Sequence, residues 1–89
     1  MTSSDNALIS DEDYFLIKLY KSLGDKIGAK TLSGTRQLFM RFHYDELFTR
    51  ENIKEIFNVQ NSRASEIISI LLKSNLIENA GDSKYKFKK

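Results

Sequence analysis

The stretch that decides the fold is Leu47 to Phe87, LFTRENIKEIFNVQNSRASEIISILLKSNLIENAGDSKYKF. Thr49 reads as a helix N-cap, and Ile53, Ile56 and Phe57 form a narrow apolar stripe on a helix of about two and a half turns. Val59 plugs the turn, and Gln60, Asn61 and Ser62 supply the next cap. Ala64, Ile67, Ile68, Leu71 and Leu72 then recur at the spacing of an amphipathic helix packed on a core. Asn75 is the expected terminator, and Leu76 and Ile77 a short strand. Asn79 to Ser83 is the expected turn. Lys84 to Lys88 alternates with period two, which places Tyr85 and Phe87 on one face and lysines on the other. Two helices, a strand, a tip and a second strand therefore follow in order.

Upstream residues read as support for this unit. Residues 1–10 are small and polar and are expected to form a flexible arm, leaving residues 11–89 as a single domain. Ser10, followed by Asp11, Glu12 and Asp13, starts a helix with a hydroxyl cap and carboxylates over the positive end of the dipole. Phe15, Leu16, Leu19, Tyr20 and Leu23 carry its stripe. Gly24 ends that helix, or the pattern runs through Ile27 to about residue 29; propensity alone does not choose. Lys30 to Gly34, KTLSG, is rich in turn formers and reads as a connector. Ser33 or Thr35 then opens a helix with Leu38, Phe39 and Phe42 inward, Met40 and Tyr44 at its edges, and His43 as a partly buried member.

Composition narrows the function classes. At 89 residues the chain makes one domain with a small core. Its 40% hydrophobic and 29% charged residues fit a folded globular chain rather than a disordered one. No apolar run approaches the ~20 residues that cross a bilayer, and no secretory signal is legible, so a cytoplasmic setting is expected. There is no Cys and one His, so neither a thiolate metal site nor an imidazole cluster is expected. No nucleophile and base pair up. Glu51 and Glu55 read as a surface pair, and Gly24, Gly28 and Gly34 lack phosphate-loop spacing. The expectation is no enzyme, no cofactor, no metal and no small-molecule substrate.

The net charge of +2 is uneven. Residues 1–13 hold four acids and no cation, whereas residues 14–89 hold all fourteen Lys and Arg against eight acids, a net of +6. A basic body of this kind suits a polyanionic partner.

The features TRENIKEIF, VQNSRASEIISILL, LIEN, AGDS and KYKF, in that order, resemble the winged helix-turn-helix superfamily over about residues 33–87. They are most similar to the C-terminal winged-helix modules of bacterial Fic-domain proteins and divergent AAA-type regulators. The resemblance implies a mainly α fold with a small β-wing: a three-helix core plus a two-stranded hairpin at about residues 33–88, with an extra N-terminal helix at about residues 11–29. It also implies double-stranded DNA as the partner, in a transcriptional regulator or a module of a larger protein. The second helix of the motif enters the major groove and the wing touches the backbone. On that basis Asn61, Ser62, Arg63, Ser65, Glu66, Ser69 and Lys73, with Lys84 and Lys86 from the wing, are the expected DNA-binding residues. Glu66 and Asp82 stand where a DNA reader is expected to be neutral or basic. The alternative is a protein-interaction or dimerisation module. It is suggested by the N-terminal helix, whose apolar stripe from Tyr14 to Leu23 is wider than one inward face requires; the same helix could equally cover the domain's open side.

Overall fold

Phe15 and Phe39 stack face to face at 4.2 Å between ring centroids, and Phe87 meets both edge-on at 5.0 and 5.2 Å. Phe48 lies 5.0 Å from Phe87, and Tyr44 meets Phe39 edge-on at 4.9 Å. This aromatic knot joins both ends of the chain, and pairs of this geometry each add about 0.5–1.5 kcal/mol beyond the area they bury. The computed structural model describes residues 9–89. Residues 1–8 of the expected arm lie outside it, and its last two residues, Ile9 and Ser10, are exposed.

Four helices and three short strands follow one another. They are α1 (Asp11–Leu23), α2 (Ala29–Phe42), β1 (Phe48–Thr49), α3 (Arg50–Phe57), α4 (Asn61–Lys73), β2 (Ile77–Gly81) and β3 (Lys84–Phe87). The strands form one antiparallel sheet in the order β1-β3-β2. A two-stranded hairpin was expected. The two residues of β1 are too few to show a period in sequence, yet Phe48 and Thr49 pair with Tyr85 and Lys84 and give β3 a second neighbour. Among the described residues no helix is long and apolar enough to cross a membrane.

Ser10 caps α1 as its sequence implies, its Oγ accepting from the Asp13 N–H. The helix stops at Leu23, with Gly24 as its cap, so the shorter of the two readings applies. Phe15, Leu19 and Leu23 face inward, whereas Tyr14, Ile17 and Tyr20 are exposed. The far end of the sheet is tied to α1: the Lys18 ammonium donates to the Lys88 carbonyl at 2.9 Å, and Lys89 sits 3.4 Å from Asp11.

The largest departure from the sequence reading is at KTLSG, which is helical. Helix α2 begins at Ala29, with Gly28 in the cap position, and neither Ser33 nor Thr35 is a cap. Residues that look like turn formers are here small enough to be covered. Thr31, Gly34 and Thr35 are buried, and the Thr35 hydroxyl donates to the Thr31 carbonyl at 2.8 Å. A Cβ added at Gly34 would lie 2.5 Å from the Phe57 ring, so the bare glycine is what lets α3 close on α2. At the other end α2 stops at Phe42. His43 lies beyond it at φ 52° and is exposed, not part of the helix or the core, and Met40 is half exposed and covers no edge. Tyr44 is buried with its hydroxyl unpartnered among the described residues.

Thr49 caps α3 with a reciprocal pair. Its Oγ1 accepts from the Asn52 N–H at 3.4 Å, while Asn52 Oδ1 accepts from the Thr49 N–H at 2.8 Å. A cap of this kind contributes about 1 kcal/mol. Ile53 and Phe57 are buried and Ile56 half-buried. Gln60 occupies the cap position of α4 without a side-chain bond, so the expected Gln60–Ser62 cap is a backbone cap only. Ala64, Ile67, Ile68 and Leu71 are buried and Leu72 is half-buried. The exits from α3 and α4 are left-handed, at Asn58 (φ 57°) and Asn75 (φ 61°). Strand β2 reaches Gly81, further than expected, with a bulge between Asn79 and Gly81. The turn is then only Asp82 and Ser83, both at positive φ, as in a type I′ hairpin.

Candidate nucleic-acid interface

Because Ala64, Ile67, Ile68 and Leu71 point α4 inward, helical geometry turns the residues between them outward. Asn61, Ser62, Ser65, Glu66, Ser69 and Lys73 are all exposed, on one side of one helix. The three serines, Ser62, Ser65 and Ser69, are short donors and acceptors on this face. Lys73 closes the C-terminal end of this face and makes no ion pair among the described residues.

Arg63, also exposed, makes two contacts within the chain. It sits at the edge of this face, where its guanidinium donates to the Thr31 hydroxyl of α2 at 3.2 Å and to the Glu66 carboxylate one turn on. Two of its five N–H donors are thus engaged, and the same pairing answers the charge of Glu66 within the chain. Beyond Arg63, towards Gly28 and Val59, lies a cleft of ≈330 Å³.

A residue absent from the sequence reading joins the site. Arg50, the first residue of α3, extends its guanidinium to Ser65 and donates to Oγ at 3.2 Å. It is exposed and in no ion pair among the described residues. Its neighbour Thr49 is the register partner of Lys84, so Arg50 bridges from the sheet to α4. The only sequence signal was a cation directly after a cap residue; its reach to Ser65, fifteen positions on, depends on how α3 crosses α4.

On the sheet, Phe87 faces the core, and alternation puts Lys84 and Lys86 on the outer face. Lys84 is exposed. Lys86 is half-buried and lies opposite Glu78 in register. Asp82 at the tip belongs to the positive-φ pair, a position that Asp tolerates better than most residues. The site thus comprises Ser65, Ser69 and Lys73 on α4, Arg50 joined to Ser65, and Lys84 on β3 opposite the residue before Arg50, with Arg63 and Glu66 paired on the same helix. A set of hydroxyls and free cations binds polyanions through phosphate oxygens and offers hydrogen bonds to what lies between them. Among the described residues no group of His, Asp and Glu side chains gathers to hold a metal ion. Comparison with known proteins finds no matching family model, no matching curated protein and no matching solved structure.

Proposed function

We propose that this chain is a winged helix-turn-helix domain that binds double-stranded DNA, in the service of transcriptional regulation. Helix α4 is the reading helix and the β2-β3 hairpin the wing. The observation that carries the reading is the set of exposed side chains Lys84, Arg50, Ser65, Ser69 and Lys73, with Arg50 donating to Ser65 and none of the three cations in an ion pair among the described residues. Helices α3 and α4, separated by residues 58–60, support it, because that spacing crosses the two helices and projects the second one outward.

In this reading α4 lies in the major groove, with Asn61, Ser62, Ser65 and Ser69 towards base edges. Arg50, Lys73 and Lys84 hold phosphates, and Lys86 adds a weaker contact. Arg63 positions α4 against α2 rather than reading bases, and Glu66 is neutralised by it. Four phosphate contacts give a log-log salt slope of roughly −3 to −4. Titration of a labelled duplex at two salt concentrations measures this; absence of saturable binding at low salt overturns the proposal. The other reading, a protein-interaction module, draws on a different surface, the outer face of α1.

A further inference from the structure

Helix α1 exposes apolar side chains where a helix at the edge of a domain ordinarily shows polar ones. Tyr14, Ile17 and Tyr20 are 42%, 54% and 57% exposed, and Ile17 and Tyr20 border an open groove of ≈640 Å³. Their order is unusual. The segment Asp13 to Lys21 reads DYFLIKLYK, and its outward residues Asp13, Tyr14, Ile17, Tyr20 and Lys21 are spaced symmetrically about Ile17. Tyr14 and Tyr20 stand three residues to either side, and Asp13 and Lys21 stand four to either side. In helical projection all five share the outer face, since residues three and four apart are neighbours there. Asp13 and Lys21 are exposed, and neither makes an ion pair among the described residues.

A two-fold axis through Ile17 that pairs two such helices antiparallel sets each residue opposite the one equally far on the other side. Ile17 then meets Ile17, Tyr14 meets Tyr20, and Asp13 meets Lys21, twice over. A closed two-fold interface requires this pattern: symmetric in shape and antisymmetric in charge. In a parallel pairing the like charges would instead face each other. We propose that the outer face of α1 binds the same face of a second copy of this chain, antiparallel about Ile17. The proposal does not rest on DNA binding, because α1 and the candidate site share no residue. A face one helix wide is smaller than the ~800 Å² per partner of a standard interface, so the dimer is a concentration-dependent one.

Sedimentation equilibrium from low micromolar to near-millimolar chain is the test. The wild type shifts from monomer to dimer. Ile17→Glu, which puts two carboxylates on the axis, weakens association on the order of a hundredfold or more. Asp13→Lys alone and Lys21→Asp alone each weaken it roughly tenfold, and the double exchange recovers most of the loss. Recovery is diagnostic, because both exchanges disfavour the helix dipole and only pairing across the axis improves when they are combined. Circular dichroism on each variant confirms that α1 is folded. A wild type that stays monomeric throughout overturns the proposal, as does a dimer indifferent to Ile17→Glu. A double exchange no better than the single ones overturns the antiparallel register.

Discussion

Helices α1 and α4 are built alike and finished differently. Each has thirteen residues, and each buries a stripe at three- and four-residue spacing. Outward, α4 shows serines and Lys73, whereas α1 shows Tyr14, Ile17 and Tyr20. The inward stripes place both helices in one core and say nothing of use. The outward faces share no such requirement, so their difference carries the functional content: one surface suited to wet, charged partners and one to dry contact.

The comparison assumes that both helices are equal members of the fold, and core truncation tests that most severely. Phe15→Ala and Ile67→Ala are each expected to cost about 2–5 kcal/mol, most of the stability of a domain this size. Urea unfolding measures both; a midpoint unmoved by Phe15→Ala would make α1 an appendage and end the comparison. Next in size is Gly34→Ala. The new methyl meets the Phe57 ring, and a net loss of ~1–3 kcal/mol is expected despite the better helix propensity. A thermal melt reads it, and an unchanged or raised Tm shows that α3 can back away from α2 at little cost.

A smaller effect separates the two outer faces. Lys73→Ala and Lys84→Ala are each expected to lower the salt slope of duplex binding by about 1, with little change in stability. Tyr20→Ala should leave that slope where it is. If Tyr20→Ala moves the slope as much as Lys73→Ala does, the division of labour between the faces fails.

The smallest effect concerns Tyr44, which reports whether α1 is seated. Burial, then the nearby charge of Asp11, pushes its phenol from the usual 10 up to about 12. A folded pKa above the unfolded one means that stability is intact below about pH 10 and falls as pH rises towards 12. Tyr44→Phe should be nearly neutral at pH 7, since it removes an unpartnered hydroxyl, and should be less destabilised than the wild type at high pH. Ultraviolet titration should show one of the four tyrosines ionising late. Four that ionise together would mean that water reaches Tyr44.

What was legible in the sequence was whatever depends on near neighbours. Ser10 and Thr49 announced their caps, Ile67 to Leu71 announced a face, and Tyr85 and Phe87 announced an alternation, because each needs only residues within a turn or a pair. The first turn of α2 was not legible. Its glycine and threonines favour turns locally and become helical because Phe57 and Arg63, from elsewhere in the chain, cover them. Strand β1 was missed for the same reason, being defined by its pairing with β3. In the candidate site the exposed face of α4 was read from periodicity. The reach of Arg63 to Thr31 and the arrival of Arg50 at Ser65 both depend on interhelical distances that no local pattern encodes.

The joints of this molecule have a consequence for its sequence neighbourhood. Helices α2, α3 and α4 all exit through a non-glycine residue at positive φ, and the hairpin turns on two more. Left-handed backbone costs an ordinary L-residue roughly 1–2 kcal/mol, and Asn less than most. His43, whose ψ of −154° takes it outside even the left-handed helical well, and Ser83 carry the larger share. Glycine at either position relieves the strain at a smaller cost in chain entropy. A more thermostable version of this domain is therefore expected from His43→Gly, at a site outside α4, the β2-β3 hairpin and the outer face of α1. The fold thus holds a reserve of robustness at the joint between α2 and β1.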